Sequence, residues 1–160
     1  MLKGIGLLFV FFATSYLGYM IYMSDKRASE RREGLCELVK YIKQRAEFFG
    51  EPLITIYSTF KNPSLEESGF MKAVISEGLE AAYIKNKGIF LFDDFVDMAV
   101  CSFLKTLGRL PLEEQLSSCE FIISKLEGVN AVTREKLPIK KKLWCSVGVL
   151  SGAAIVILIL

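Results

Sequence analysis

The sequence predicts an all-α protein, with a small helical bundle over residues 24–142 set between two terminal apolar helices, residues 1–23 and 143–160. Three observations carry that reading. Apolar residues make up 52% of the 160-residue chain and mean hydropathy is +0.37, although 24% of residues are charged. The charges are segregated, since only Lys3 precedes Ser24 and none follows Lys142. Between those limits apolar residues recur at helical rather than alternating spacing. With Lys3 set aside, the middle segment holds 19 basic and 18 acidic residues, a net charge of +1. That balance excludes a strongly basic nucleic-acid binder and an acidic disordered tail. A middle segment of this length supports one compact core and not two.

The two ends read as transmembrane helices. Gly4 to Met23 is a run of twenty residues without a charge, which as a helix spans about 30 Å, the thickness of a bilayer's hydrocarbon core. Leu143 to Leu160 is eighteen uncharged residues, or about 27 Å, just long enough. Trp144 follows Lys140, Lys141 and Lys142, the arrangement that anchors a helix end at headgroup level. Tyr16, Tyr19 and Tyr22 suit the same role in the first segment. A cleavable signal is disfavoured because the stronger basic cluster (Lys26, Arg27, Arg31, Arg32) follows the apolar run, and Met20-Ile21-Tyr22-Met23 offers no small-residue cleavage site. Both basic clusters, Lys26–Arg32 and Arg134–Lys142, flank the middle segment, which puts the middle in the cytoplasm and both termini on the far side.

Within the middle, Leu35, Leu38, Val39, Ile42, Ala46 and Phe49 define an amphipathic helix that no turn signal separates from the first apolar segment, so the two are able to form one rod. Gly50 and Pro52 end it and start the next helix, whose face Leu53, Ile56, Tyr57, Phe60 runs until Asn62-Pro63. Phe70, Met71, Val74 and Ile75 form a short stripe broken at Gly78, and a brief helix follows over Leu79 to Ile84. Ile89 to Phe92 is strand-like but has no partner, and reads as an extended connector that buries aromatics. Asp93 is placed to cap a helix ending before Gly108, with Phe95, Met98, Ala99, Phe103, Leu104 and Leu107 as its apolar stripe. Pro111 opens a last helix with Leu112, Leu116, Cys119, Ile122, Ile123 and Leu126 inward and Glu113, Glu114 and Glu120 outward. Pro138 is expected to break any helix just before the membrane.

Catalytic chemistry has little to work with. The chain has no histidine, which removes Ser-His and Cys-His pairs, His-ligated zinc and a His general base. Cys36, Cys101, Cys119 and Cys145 are scattered without a C-x-x-C pair, so no cofactor and no metal is expected. Cys101 and Cys119 read as small core residues, and Cys145, at the membrane boundary, as a candidate for palmitoylation. Asp93, Asp94 and Asp97 read as a cap with acids favouring the helix N-terminus rather than as a metal or acid/base site. Gly148 and Gly152 form a G-x-x-x-G in an apolar helix, and Thr14 and Gly18 a similar patch in the first segment, both suited to close helix packing. The strongest charge contrasts, and hence the candidate partner-binding residues, are the Glu113/Glu114/Glu120 face and the Lys40/Lys43 face.

This layout resembles the stage III sporulation protein AB family of endospore-forming bacteria. The pieces that carry the resemblance are Leu2-Lys3-Gly4-Ile5-Gly6 through Ala13-Thr14-Ser15-Tyr16-Leu17-Gly18-Tyr19, the Arg32 to Phe49 helix with Gly50-Glu51-Pro52-Leu53, Phe103-Leu104-Lys105-Thr106-Leu107-Gly108-Arg109 followed by Glu113-Glu114-Gln115, and Lys142 through Gly152. Leu110-Pro111 stands where the family usually has Ser-Asp. Gly128 and Pro138 interrupt what is usually an unbroken charged helix. The resemblance implies a non-enzymatic, membrane-anchored platform in a channel-like apparatus linking mother cell and forespore, in the mother-cell membrane around the forespore. It implies as partners a cytoplasmic secretion-type ATPase and other membrane components of that complex. It also implies a helical domain similar to those of the type II secretion F platform protein. Two alternatives stand beside it: a membrane-tethered enzyme with an unrecognised site, and a short F-type platform protein of a secretion or pilus system.

Overall fold

The computed structural model describes the backbone of residues 2–159 and the side chains of residues 11–158. The side chains of Lys3 and of the Gly4–Val10 part of the first apolar run lie outside the described residues. Among the described residues there is no strand. The helices are α1 (Leu2–Phe49), α2 (Leu53–Thr59), α3 (Pro63–Glu67), α4 (Phe70–Glu77), α5 (Leu79–Asn86), α6 (Asp94–Thr106) and α7 (Leu112–Ile159), with a 3-10 turn at Lys87–Ile89 between α5 and α6. The chain forms two compact units, residues 28–131 and residues 1–27 with 132–160.

The core of the first unit grows from α1. Leu35, Leu38, Val39 and Ile42 are all buried, a stripe at the spacing one helix face requires. Around them lie Ile56 and Tyr57 from α2, Leu65 from α3, Phe70 and Val74 from α4, and Ala82 and Tyr83 from α5. Cys119, Ile122 and Leu126 of α7 close the core, each with no exposed surface. Burying a Leu, Ile or Phe side chain contributes about 1.5–3 kcal/mol, so this cluster is what holds the short helices. None of α2 to α5 exceeds eight residues, a length that is not stable in isolation.

Several expectations from sequence are corrected here. Asn62-Pro63 does not only end α2; it starts α3, with the Leu65 N–H donating to Asn62 Oδ1 at 3.2 Å and Pro63 as the first helical residue. The Ile89–Phe92 segment is not extended. Phe90 has helical torsions and closes the 3-10 turn, and Leu91 takes a left-handed φ of 49°. The aim of that turn is Phe90, fully buried edge-on to Phe70 at 5.2 Å and stacked on Tyr83 at 5.5 Å. Arg32 holds the turn from α1, donating to the Leu91 carbonyl at 3.3 Å with its guanidinium 6.0 Å from the Phe92 ring.

The buried face of α6 is Val96, Val100, Phe103 and Leu104, so Phe95 and Met98, read from sequence as inward, are 66% and 64% exposed. Nor does Pro138 end α7, which is helical on both sides of it. The proline removes one i→i−4 donor, but residues 134–136 and 138–140 are exposed, so water can reach the freed carbonyl.

The loop between α6 and α7 shows why its residue types are placed as they are. Gly108 has φ 76°, and a Cβ there would lie 2.9 Å from Leu53 Cδ1. Its N–H donates to Gln115 Oε1 at 3.2 Å, latching the first turn of α7 to the end of α6. At the other end of α6, Asp93 Oδ1 accepts from the Val96 N–H at 2.8 Å. Replacing Asp93 with Ala should cost about 1 kcal/mol in thermal unfolding, and Asp93→Asn only a small part of that, because Asn keeps the cap acceptor.

Candidate functional site

The acids of the α6 N-terminus are engaged in structure. Asp93 caps the helix, and Asp97 accepts the Tyr83 hydroxyl at 2.8 Å and lies 3.5 Å from the Lys87 ammonium. Among the described residues no group of three or more His, Cys, Asp or Glu side chains converges to hold a metal ion. The cysteines are free thiols. Cys36 and Cys119 are buried, and burial pushes the Cys119 thiol from its ordinary value of 9.0 up to about 11. It raises Cys36 as well. Both therefore stay protonated and unreactive near neutral pH. Cys101 is only half-buried.

The two charged faces singled out in the sequence meet each other. Lys43 Nζ lies 2.6 Å from Glu120 Oε1, and Lys40 Nζ 2.7 Å from Glu127 Oε1. The Glu120 and Glu127 carboxylates raise the pKa of Lys43 and Lys40 respectively. These pairs cross an open groove of about 380 Å³ between α1 and α7, also lined by Glu47, Phe48 and Ile123. Lys40, Lys43 and Glu120 thus spend much of their contrast within the chain, and Glu113 and Glu114 are left as the outward acidic residues, both exposed. A surface group that the sequence did not reveal lies on α6 and α7. Phe95, Met98 and Phe121 are all more than 60% exposed. Lys125 Nζ sits 3.9 Å from the Phe95 ring centre and 5.1 Å from that of Phe121. The signal is two apolar residues too many for the stripe of α6, Phe95 and Met98, which a helix of this width cannot bury on a single face.

In the other unit, the terminal helices approach at their small residues. Gly18, Gly148 and Gly152 are buried. A Cβ on Gly18 would stand 2.5 Å from the Trp144 carbonyl oxygen and 3.3 Å from Gly148 Cα; one on Gly148 would stand 3.0 Å from the Thr14 carbonyl oxygen. A Cβ on Gly152 would meet Thr14 Oγ1 and the Phe11 backbone. The structure therefore brings Thr14 and Gly18 against Gly148 and Gly152, backbone on backbone, the contact that only small residues permit. Beside it, Lys140 Nζ pairs with Asp25 Oδ2 at 2.7 Å and Lys141 lies 5.9 Å from the Tyr22 ring centre. The outer surfaces are apolar, with Phe12, Leu17, Leu150 and Ile157 each at least 60% exposed.

One described helix is long and apolar enough to cross a membrane. It is α7, whose most apolar 18-residue window has a mean hydropathy of 1.6 and is 11% buried. The described residues are all helix and turn, with one such apolar helix among them. The family model for stage III sporulation protein AB matches residues 96–160, from within α6 to the end of the chain. A sporulation family and one long apolar helix together suggest association with a membrane. No curated protein and no solved structure matches the chain.

The glycine contact makes a directional prediction. Gly18→Ala should destabilise the full chain in detergent micelles by about 1–3 kcal/mol, because a backbone carbonyl cannot move aside for the new methyl. Gly128→Ala, in a helix with no atom within 4 Å of the new Cβ, should be neutral or stabilising by up to about 1 kcal/mol. Thermal melting of both variants checks the contrast.

Proposed function

We propose that the chain is a non-enzymatic membrane anchor and docking platform in a sporulation apparatus. In this reading the helical unit of residues 28–131 presents a surface to a cytoplasmic secretion-type ATPase, and both terminal helices lie in the bilayer as a hairpin. The observation that carries the reading is the family match over α6 and α7, the helix in which one chain passes from a packed core to an unbroken apolar run. A soluble motor needs a fixed partner to act on a membrane apparatus, and a small bundle held by membrane helices provides one. The polar groups within the helical unit support a binding role over catalysis, since they act in capping, latching and internal ion pairs. The exposed Phe95, Met98 and Phe121 supply the contact area that a docking surface requires. Glu113 and Glu114 set orientation more than affinity.

The test is binding of the cognate ATPase to the full chain held in lipid nanodiscs. Micromolar association is expected. Reversing Glu113 and Glu114 to Lys should weaken it several-fold, and Phe121→Ser more, with helicity and melting unchanged. Absence of binding by the wild-type chain at high micromolar ATPase would contradict the platform role.

A further inference from the structure

One feature of the second unit is used by neither the platform nor the glycine contact. At the inner end of the apolar stretch of α7, five basic residues fall between Arg134 and Lys142, with Lys26 and Arg27 on α1 in the same unit. Glu135 is the one acid in the sequence between 132 and 142, and Lys140 pairs with Asp25 at 2.7 Å. Lys136, Lys140, Lys141 and Lys142 are exposed.

Their directions matter more than their number. At about 100° per residue, Arg134, Lys136, Lys140, Lys141 and Lys142 point to all sides of α7, within about 12 Å along the axis. A protein partner docks on one face of a helix and leaves the others in water. Cations on every side of the helix over about two turns suit a ligand that surrounds it, as headgroups do. Trp144 lies two residues beyond Lys142, on the apolar side, where an indole sits at the headgroup boundary.

We propose that this basic collar binds anionic phospholipid headgroups and gathers them around the inner end of α7. The proposal rests on α7 crossing the bilayer. The shared chemistry is the phosphodiester of the headgroup together with the net negative charge that a zwitterionic lipid lacks. A polybasic segment next to a membrane helix attracts such lipids additively, residue by residue, and the attraction fades with salt. The Asp25–Lys140 pair keeps the two helices joined while the remaining lysines stay turned outward.

Trp144 is the only tryptophan in the chain, so its fluorescence reports the lipid next to the collar. The full chain is reconstituted in phosphatidylcholine vesicles holding an equal fraction of either phosphatidylglycerol or phosphatidylcholine brominated near the carbonyl end of the acyl chain. Brominated phosphatidylglycerol should quench Trp144 roughly two- to fivefold more strongly than the zwitterionic quencher at low salt. The preference should shrink as salt is raised. Replacing Lys136, Lys141 and Lys142 together with Gln should remove it, leaving the Lys140 pair in place, while the triple replacement with Arg should retain it. Equal quenching by the two lipids overturns the collar and leaves the membrane helix standing. A preference that survives in the Gln triple variant also overturns it. No quenching by either lipid overturns both the collar and the crossing of the bilayer by α7.

Discussion

The constraint on which everything else depends is cover for apolar surface. The chain is 52% apolar, and the packed core of residues 28–131 takes up only part of that. In the middle of the sequence the problem is solved in the ordinary way, with the α1 stripe of Leu35, Leu38, Val39 and Ile42 under short helices that have no stability of their own. In the terminal segments the glycine contact covers one side of each helix, and large side chains such as Phe12, Leu150 and Ile157 remain outside. Water is a poor solvent for that surface, and a lipid bilayer is a good one.

Polar residues follow from the same constraint. Several polar groups serve the fold: Asp93 and Asn62 cap helices, Gln115 latches a glycine, and the Tyr83 hydroxyl finds Asp97. The ion pairs Lys43–Glu120 and Lys40–Glu127 tie α1 to α7 at the surface, where each is worth little alone. The proposed contacts with other molecules draw on exposed groups: Phe95, Met98 and Phe121 of α6 and α7, Glu113 and Glu114, and the lysines between 136 and 142.

Much of this was legible in the sequence, because helical periodicity and capping chemistry are local. The α1 stripe from Leu35 to Ile42, the Asp93 cap and the all-α class follow from spacing and residue type, whereas Phe49, at the end of that stripe, is exposed. The misreadings arose where tertiary context overrides a local rule. Pro138 has a helix-breaking signature, yet α7 runs through it where solvent can satisfy the lost bond. Ile89 to Phe92 has strand composition, yet its purpose is to deliver Phe90 into an aromatic cluster, which a 3-10 turn does better. Phe95 and Met98 are apolar in a helix whose core face is already full. The Lys40/Lys43 and Glu120 faces looked independent because sequence does not reveal which helices are neighbours.

The proposed placement puts the apolar ends in a membrane and residues 28–131 on the cytoplasmic side. The most direct measurement uses a membrane-impermeant maleimide on intact cells, with the native cysteines replaced and single cysteines placed near either terminus or at Gly88. The account predicts labelling at both termini from outside, with Gly88 reached only after the membrane is opened. Labelling of the Gly88 position in intact cells, or protection of one terminus until lysis, would contradict it.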